Sequence, residues 1–164
     1  MTKTLLITGA TGKQGSEVIR AIFDLPQASD YDVFGLSRDI SSQACQDLSA
    51  KFPKLNLVQG DLHDCEAALE AVGGPIWGVF SVQTPMGGGQ TIATEEAYGK
   101  GLVDAAIARG VKHFIYTSVE RNGDVPTEVP HFVSKHNIEL YLKENAGDMS
   151  WTILRPTSFM DNSV

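Results

Sequence analysis

Three glycines near the start of the chain lie where an apolar run meets a helix-like segment. Gly9, Gly12 and Gly15 follow the run Thr4-Leu-Leu-Ile-Thr8 with the spacing G-x-x-G-x-x-G. Glycine there permits a tight turn, close approach of the backbone to a pyrophosphate, and close packing of helix on strand. The first amides of the following helix then offer N–H groups and a positive dipole end to phosphates. The pattern predicts a nucleotide-binding loop; an ordinary glycine-rich turn is the weaker alternative.

The second apolar run ends at Ser37-Arg38-Asp39, about 20 residues beyond the last glycine, where the adenosine ribose is recognised in such proteins. An acidic residue there favours the ribose 2′-hydroxyl of NAD, whereas an arginine suits the 2′-phosphate of NADP. Arg38 and the Ser37 hydroxyl therefore favour NADP(H), and Asp39 keeps NAD(H) open as the alternative. We interpret Asp39 as a helix N-cap or a solvated carboxylate.

The third run ends at Gly60-Asp61-Leu62. The Asp61 side chain and the Leu62 backbone could border an adenine ring at this position. Asp61 is equally suited to cap the next helix, since aspartate is a preferred N-cap residue. The two roles are compatible, and the sequence favours neither.

Apolar runs of strand length alternate with helix-like segments along the whole chain. The predicted strands are 4–8, 32–37, 55–59, 77–82, 113–118 and 151–154, and the predicted helices are 15–24, 43–52, 64–72, 94–109 and 132–145. This order predicts an α/β fold: a doubly wound, Rossmann-type parallel sheet of about six strands with helices on both faces. Gly110 and Gly147 follow two helices at the expected C-terminal caps.

Composition limits the classes of function. The 164 residues predict a single domain, and the net charge of −7 argues against a surface that neutralises nucleic-acid phosphates. Cys45 and Cys65 lack the spacing of a zinc site or a disulfide framework, so no metal is expected. No apolar stretch reaches the ~20 residues of a membrane span. We expect a cytoplasmic protein, with the nucleus as the alternative, that binds neither membrane nor nucleic acid.

Several motifs together resemble the NmrA-like group, an atypical branch of the short-chain dehydrogenase/reductase superfamily. They are Thr8-Gly-Ala-Thr-Gly-Lys-Gln-Gly15, Val58-Gln-Gly-Asp-Leu62, Gly78-Val-Phe-Ser-Val-Gln83, Tyr116-Thr-Ser-Val119, Pro130-His-Phe-Val-Ser-Lys-His-Asn-Ile-Glu139 and Trp151-Thr-Ile-Leu-Arg-Pro-Thr-Ser-Phe-Met-Asp-Asn162. The resemblance covers essentially the whole chain. The group includes fungal nitrogen-metabolite regulators, animal NADPH sensors, and reductases acting on quinones or phenolic compounds.

The resemblance implies a set of cofactor contacts. Thr11, Gly12, Lys13, Gln14 and Gly15 would line the pyrophosphate, Arg38 would meet the 2′-phosphate, and Asp61 and Leu62 would flank adenine. Residues near the nicotinamide and its ribose would be Val82, Gln83, Thr84, Pro85, Thr117, Lys135, Pro156 and the segment up to Phe159. Members of the group usually add a C-terminal part that builds the substrate pocket. We expect that region to be missing or very short here, or to come from another chain.

Conventional short-chain dehydrogenases place a tyrosine four residues before a lysine, so that the two heads meet over the cofactor. Here Ser118 and Lys135 match the serine and lysine, but His131 stands where tyrosine is usual. A histidine could donate a proton, although a neighbouring Lys⁺ favours its neutral form. The alternatives are that His131 only begins the helix, and that Lys135 binds the cofactor ribose without catalysis or lies on the surface.

Three hypotheses for function follow. The first is that the chain is a regulatory, redox-sensing NADP(H) binder. In this hypothesis, dinucleotide binding shifts a surface that meets a regulatory protein or a second copy of the chain. Alternatively, it is an NADPH-dependent oxidoreductase acting on a quinone-like or phenolic small molecule. A third reading is a degenerate fragment that binds nothing usefully.

Overall fold

The computed structural model describes residues 1–83, 91–121 and 128–157. The strands are β1 (Lys3–Ile7), β2 (Tyr31–Ser37), β3 (Asn56–Gln59), β4 (Gly78–Ser81), β5 (His113–Thr117) and β6 (Ser150–Leu154). The α-helices are α1 (Lys13–Phe23), α2 (Gln43–Lys51), α3 (Cys65–Glu70), α4 (Ile92–Ala108) and α5 (Pro130–Asn145). Every predicted strand and helix is present, with bounds within two residues of those predicted.

The six strands form one parallel sheet in the order β3-β2-β1-β4-β5-β6. This confirms the predicted doubly wound α/β architecture. The chain runs outward from β1 to β3 and then crosses back to β4 on the other side of β1. Ligands of such sheets bind outside the carboxyl ends of the strands at this reversal, so the fold places β1, β2 and β4 around the expected site.

Helices cover both faces of the sheet, because neighbouring strand residues point to opposite sides. Leu6 and Val79 belong to a buried cluster with α3, α4 and α5. Ile7 and Phe80, the next residue on each strand, pack instead with α1 and α2. The two layers fix the sheet, and their loops at its carboxyl edge carry most of the polar groups discussed below.

Helix ends agree with the sequence at three predicted positions and differ at one. Gly110 and Gly147 have φ of +67° and +56°, as a C-terminal glycine cap requires. Asp61 is an N-cap: its carboxylate accepts a hydrogen bond from the His63 amide at 2.9 Å. Of the two interpretations of Asp39, the N-cap is wrong, because Ser42 caps α2 through the Cys45 amide, and Asp39 is exposed, as expected of a solvated carboxylate.

None of the described helices combines the length and the apolar character needed to cross a bilayer.

Candidate dinucleotide site

A cavity of about 370 Å³ opens at the carboxyl edge of the sheet. It is called here the carboxyl-edge cavity, and its walls are Thr8, Gly9, Thr11, Gly12, Leu36, Ser37, Arg38, Asp39, Ser42, Gly60, Asp61, Leu62, Val82, Gln83 and Tyr98. Nine of these are residues that the sequence assigned to cofactor binding: Gly9, Thr11, Gly12, Ser37, Arg38, Asp61, Leu62, Val82 and Gln83. The structure therefore brings the ends of β1 to β4 to one concave surface.

The glycine loop is held tightly against itself. Gly9 has φ of +57°, and its carbonyl accepts a hydrogen bond from the Gly12 amide at 2.9 Å. A Cβ on Gly15 would lie 2.1 Å from the Gly9 oxygen, so only glycine fits there without moving the backbone. Lys13, Gln14 and Gly15 form the first turn of α1. Because the N-cap is Gly12, no capping side chain occupies the amides at this helix end.

Thr8 fixes the loop to the next strand of the sheet. Its hydroxyl donates to the Val82 carbonyl at 3.0 Å and accepts from the Val82 amide at 2.8 Å. This pair of hydrogen bonds places Val82 against the loop, where its Cγ1 lies 2.9 Å from the position that a Cβ on Gly9 would take. Thr8 was not singled out from the sequence, because its role depends on a strand that follows 70 residues later.

Arg38 and Asp39 lie side by side at the rim of the cavity but differ in their contacts. In the described part of the chain, no carboxylate lies within ion-pair distance of the Arg38 guanidinium. The Asp39 carboxylate accepts hydrogen bonds from the Ser41 hydroxyl at 2.6 Å and the Ser41 amide at 2.8 Å. These bonds hold the pKa of Asp39 below its usual value. Within the described residues, Arg38 is thus a charge at this rim that no carboxylate neutralises.

The opposite wall of the cavity comes from β3 and α4. Asp61 lines it while capping the short 3₁₀ helix Leu62–Asp64, so its two predicted roles are geometrically compatible. Gly60 lies tight against Leu36 and Ala68, which brings the strand end close to α3. Tyr98 of α4 completes this wall. Gly60 belongs to the motif that ends the third strand, whereas Ser42 and Tyr98 carried no motif of their own and reach the cavity through the positions of α2 and α4.

Further along the edge, Gln14 of α1 and Thr117 of β5 are joined directly. The Thr117 hydroxyl donates to the side-chain amide oxygen, Oε1, of Gln14 at 2.7 Å. Gln83 is buried at the end of β4, and its amide nitrogen donates to the Ser81 hydroxyl at 2.7 Å. Its amide oxygen has no hydrogen-bond partner among the described residues. Polar groups thus continue from the cavity toward β5, where the nicotinamide was predicted to lie.

Two buried carboxylates lie beside the predicted catalytic residues: Glu139 of α5 lies beside Ser118, and Glu95 of α4 forms an ion pair with Lys135. Ser118 is buried beside Glu139 of α5; burial alone would raise the Glu139 pKa, but hydrogen bonds from Arg155, the nearby Ser118 hydroxyl and the arginine charges lower it. The Lys135 ammonium lies 2.8 Å from a carboxylate oxygen of Glu95 on α4. Lys135 is only 8% exposed, so the surface-lysine alternative is wrong.

His131 and Pro156 complete the placement of the predicted residues. Helix α5 begins at Pro130, so His131 lies in its first turn, with its ring 4.5 Å from the edge-on ring of Phe132. The Pro156 carbonyl accepts a hydrogen bond from the Glu120 amide at 2.9 Å. Thr84, Pro85 and Phe159 lie outside the described residues.

Glu95 and Glu139 are further functional-site candidates that no sequence motif singled out. Both are completely buried. Glu95 shares one helical stripe with Gly99, Leu102 and Ala106, all of them buried at three- and four-residue spacing. A charged residue on an otherwise apolar stripe was the available signal, since such residues are rarely buried without a partner.

Comparison with known proteins gives a consistent result. The model of the NmrA-like family matches residues 1–164. The NmrA-like family domain-containing oxidoreductase ptmS of Penicillium ochrochloron is 31% identical over 98% of this chain and 48% of its own length. The chain thus spans about half the length of the curated relatives it matches.

Two solved structures share the fold. Citrobacter sp. triphenylmethane reductase, solved in complex with NADP(H), matches with a TM-score of 0.78 and 20% identity, over 98% of this chain and 52% of the other. The NADPH-dependent quinone oxidoreductase QOR2 of Escherichia coli, solved with NADPH, matches with a TM-score of 0.72 and 25% identity. The match covers 96% of this chain and 50% of the QOR2 chain.

Proposed function

This chain belongs to the NmrA-like family, and we propose that it is a redox-sensing, regulatory protein that binds NADP(H) in the carboxyl-edge cavity. The observation that carries the proposal is that the glycine loop and Arg38 line one continuous concave surface. A dinucleotide lying there would place its pyrophosphate on the amides of α1 and its adenosine toward β2 and β3. The complexes of triphenylmethane reductase and QOR2 with their nucleotides support this choice of ligand.

Charge at the rim supports NADP(H) over NAD(H). A 2′-phosphate needs a cation whose charge is not already neutralised, and Arg38 meets that condition among the described residues. An acidic residue competing for the ribose hydroxyls would favour NAD instead. Asp39 is the candidate for that role, but Ser41 holds its carboxylate through two hydrogen bonds.

The regulatory role is supported by the groups that would have to catalyse a reaction. His131 takes the place where the related dehydrogenases have tyrosine, and Ser118 is buried beside the Glu139 carboxylate. A protein that senses its ligand needs only different affinities for the two forms of the ligand or for two conformations of itself. Binding without turnover satisfies that requirement.

The second candidate is an NADPH-dependent oxidoreductase acting on a quinone-like or phenolic compound. The observation that favours it is the buried, ion-paired Lys135 at the same edge of the sheet as the cavity. Hydride transfer to a quinone needs little help from a protein acid, since the product oxyanion is comparatively stable. Loss of NADPH absorbance with a panel of quinones separates the candidates: the sensor binds NADPH without oxidising it, and the enzyme turns over and depends on Lys135.

Replacing Arg38 with alanine tests the ligand directly. We expect Kd for NADPH to rise about 30-fold, equivalent to about 2 kcal/mol for a lost charge-assisted contact, with Kd for NADH unchanged. Calorimetric titration of both nucleotides measures the effect. Arg20→Ala is the matched control, because Arg20 is an exposed arginine of α1 that pairs with Glu17 and Asp24 away from the cavity. Equal weakening of NADPH and NADH by Arg38→Ala would overturn the assigned role.

Replacing Ser41 with alanine tests the proposed handling of the Asp39 charge. Without the Ser41 hydroxyl, the carboxylate is freer to approach the 2′-phosphate, and we expect NADPH binding to weaken about fivefold, as for about 1 kcal/mol of repulsion. Adding Asp39→Asn to Ser41→Ala should restore the wild-type affinity for NADPH. If the double variant binds as weakly as Ser41→Ala, the loss comes from the backbone of this turn and not from charge.

A further inference from the structure

We infer that Glu95 is a positioning residue, whose carboxylate holds the Lys135 ammonium beyond the wall of the carboxyl-edge cavity, on the side where the nicotinamide ribose would lie. The inference deepens the proposed function and rests on it. It assigns a functional role to Glu95, the buried acid of α4, which no sequence motif marks.

The contact is short and enclosed. The Lys135 Nζ lies 2.8 Å from Oε1 of Glu95, and the other carboxylate oxygen accepts a hydrogen bond from the Ser134 hydroxyl at 2.6 Å. The Glu95 side chain is completely buried, and the Lys135 side chain keeps only 11% of its surface. The carboxylate is therefore tied to two adjacent residues of α5, by an ion pair at Oε1, which accepts no hydrogen bond from the described residues, and by a hydrogen bond at the other oxygen.

The backbone that carries Glu95 is equally well defined. Thr91 and Thr94 form a capping box at the start of α4, with each side chain accepting a hydrogen bond from the amide of the other residue. The Glu95 amide donates to the Thr91 carbonyl at 2.9 Å. A capped first turn resists fraying, so the carboxylate is presented from a rigid end of the helix.

A second group lies on another side of the ammonium. The ring centroid of Tyr116 on β5 is 6.0 Å from the Lys135 Nζ, at the outer limit of a cation–π contact. The Tyr116 hydroxyl is buried and has no hydrogen-bond partner among the described residues. The Lys135 ammonium is therefore close to both a carboxylate of α4 and an aromatic ring of the sheet, and the burial of its side chain restricts its motion.

Energetics argue that the pair serves more than stability. Burying two charges costs desolvation energy that their attraction often fails to offset, and apolar replacements of such pairs are frequently neutral or stabilising. An ammonium has three N–H donors, and its closest carboxylate contact in the described structure is the one Glu95 oxygen. Donors beyond that contact suit the two hydroxyls of a ribose, which a freely moving lysine would bind with a larger entropy loss.

The pair is also close to the cavity wall. Glu95 and Tyr98 are three residues apart on α4 and lie on the same face of the helix, about 4.5 Å apart along its axis. Tyr98 lines the cavity, and Glu95 is nearer the helix start, which follows the carboxyl end of β4. The hydrogen bond between Gln14 and Thr117 marks the same edge of the sheet.

The next residue, Glu96, provides a matched control. It is also an acid of α4 that contacts α5, but its partners are Lys100 at 2.6 Å and the Asn137 amide at 3.0 Å. Its side chain is 27% exposed, and like Glu95 it is not among the residues of the cavity wall. Glu96→Gln therefore removes the same charge from the same helix turn without touching Lys135.

The test compares two ligands that share the adenosine end. NADPH carries the nicotinamide ribose, and adenosine 2′,5′-bisphosphate does not. In Glu95→Gln we expect Kd for NADPH to rise about tenfold, as for one weakened charge-assisted contact, and Kd for the bisphosphate to stay within about twofold of wild type. Glu96→Gln should change neither. Wild-type affinity for NADPH in Glu95→Gln, or an equal loss of both ligands, overturns the inference.

A double-mutant cycle covers the case in which Glu95→Gln lowers stability. If Glu95 acts through the lysine, adding Glu95→Gln to Lys135→Met causes no further loss of NADPH affinity. Additive losses would contradict that dependence and overturn the inference. Failure of the wild-type protein to bind either ligand is a different result, because it removes the proposed function itself.

Discussion

Replacing Gly15 with alanine is expected to raise Kd for both NADPH and NADH by about a hundredfold or more, the equivalent of two lost phosphate contacts. The added Cβ would lie 2.1 Å from the Gly9 oxygen, 2.7 Å from the Gly9 carbonyl carbon and 3.0 Å from the Ala10 Cα. All three are backbone atoms, so no side-chain rotation relieves the overlap. The loop must move away from α1, and the amides then no longer converge on a pyrophosphate.

The same substitution should lower the free energy of unfolding by about 1–3 kcal/mol, as overpacking usually does. Gly74→Ala is the control, because a Cβ there meets nothing within 4 Å. Titration of each variant, with circular dichroism to verify folding, measures the effect. A folded Gly15→Ala protein that binds NADPH like the wild type would mean that the pyrophosphate does not lie on this loop.

Replacing Glu139 with glutamine is expected to lower the free energy of unfolding by about 3–5 kcal/mol, the usual cost of breaking a buried ion pair. The Glu139 side chain is completely buried, with Arg155 nitrogens at 2.5 and 3.1 Å and an Arg121 nitrogen at 3.6 Å. Without the carboxylate charge, both guanidinium groups lose their attraction to this buried anion, which helps to offset the cost of their desolvation. Urea unfolding monitored by tryptophan fluorescence measures the change.

The pH dependence of stability gives a second check on Glu139. Burial raises the pKa of this carboxyl, but hydrogen bonds from Arg155, the nearby Ser118 hydroxyl and the two arginine charges outweigh it, and the folded-state pKa is lower than the ordinary value. The stabilisation is therefore fully present above the unfolded-state pKa and is lost as pH falls through the folded-state pKa. In a plot of unfolding free energy against pH, Glu139→Gln should therefore reduce the fall in stability on the acid side, called here the acid limb. The control is Glu17→Gln, which removes an exposed carboxylate and should leave the urea midpoint at neutral pH unchanged. An unaltered acid limb in Glu139→Gln would contradict the assignment.

Features carried by contiguous residues were predictable from the sequence. The glycine loop and Arg38 are local patterns, since the turn, the helix start and the end of β2 each depend on a few neighbouring residues. The strands could be located because each is a short apolar run, although only a central strand such as β4 is buried along its whole length. The alternation of strands and helices then limits the fold to a small number of topologies.

Features that depend on packing between distant elements could not be predicted in this way. Glu95 meets Lys135 only because α4 and α5 pack together on one face of the sheet, and nothing local links the two residues. The orientation of Asp39 depends on one hydroxyl two residues later, and an N-cap was an equally good reading of the same residues. The Thr8–Val82 contact likewise requires the neighbouring positions of β1 and β4.

The central claim is that NADPH binds with its pyrophosphate on the glycine loop and its 2′-phosphate at Arg38. Backbone amide resonances of ¹⁵N-labelled protein, followed during titration with NADPH and then with NADH, test it most directly. We predict that the amides of Gly12, Gly15 and Arg38 shift with NADPH, and that NADH, which lacks the 2′-phosphate, leaves Arg38 nearly unchanged. Shifts confined to residues outside the carboxyl-edge cavity, or the same response of Arg38 to both nucleotides, would contradict the account.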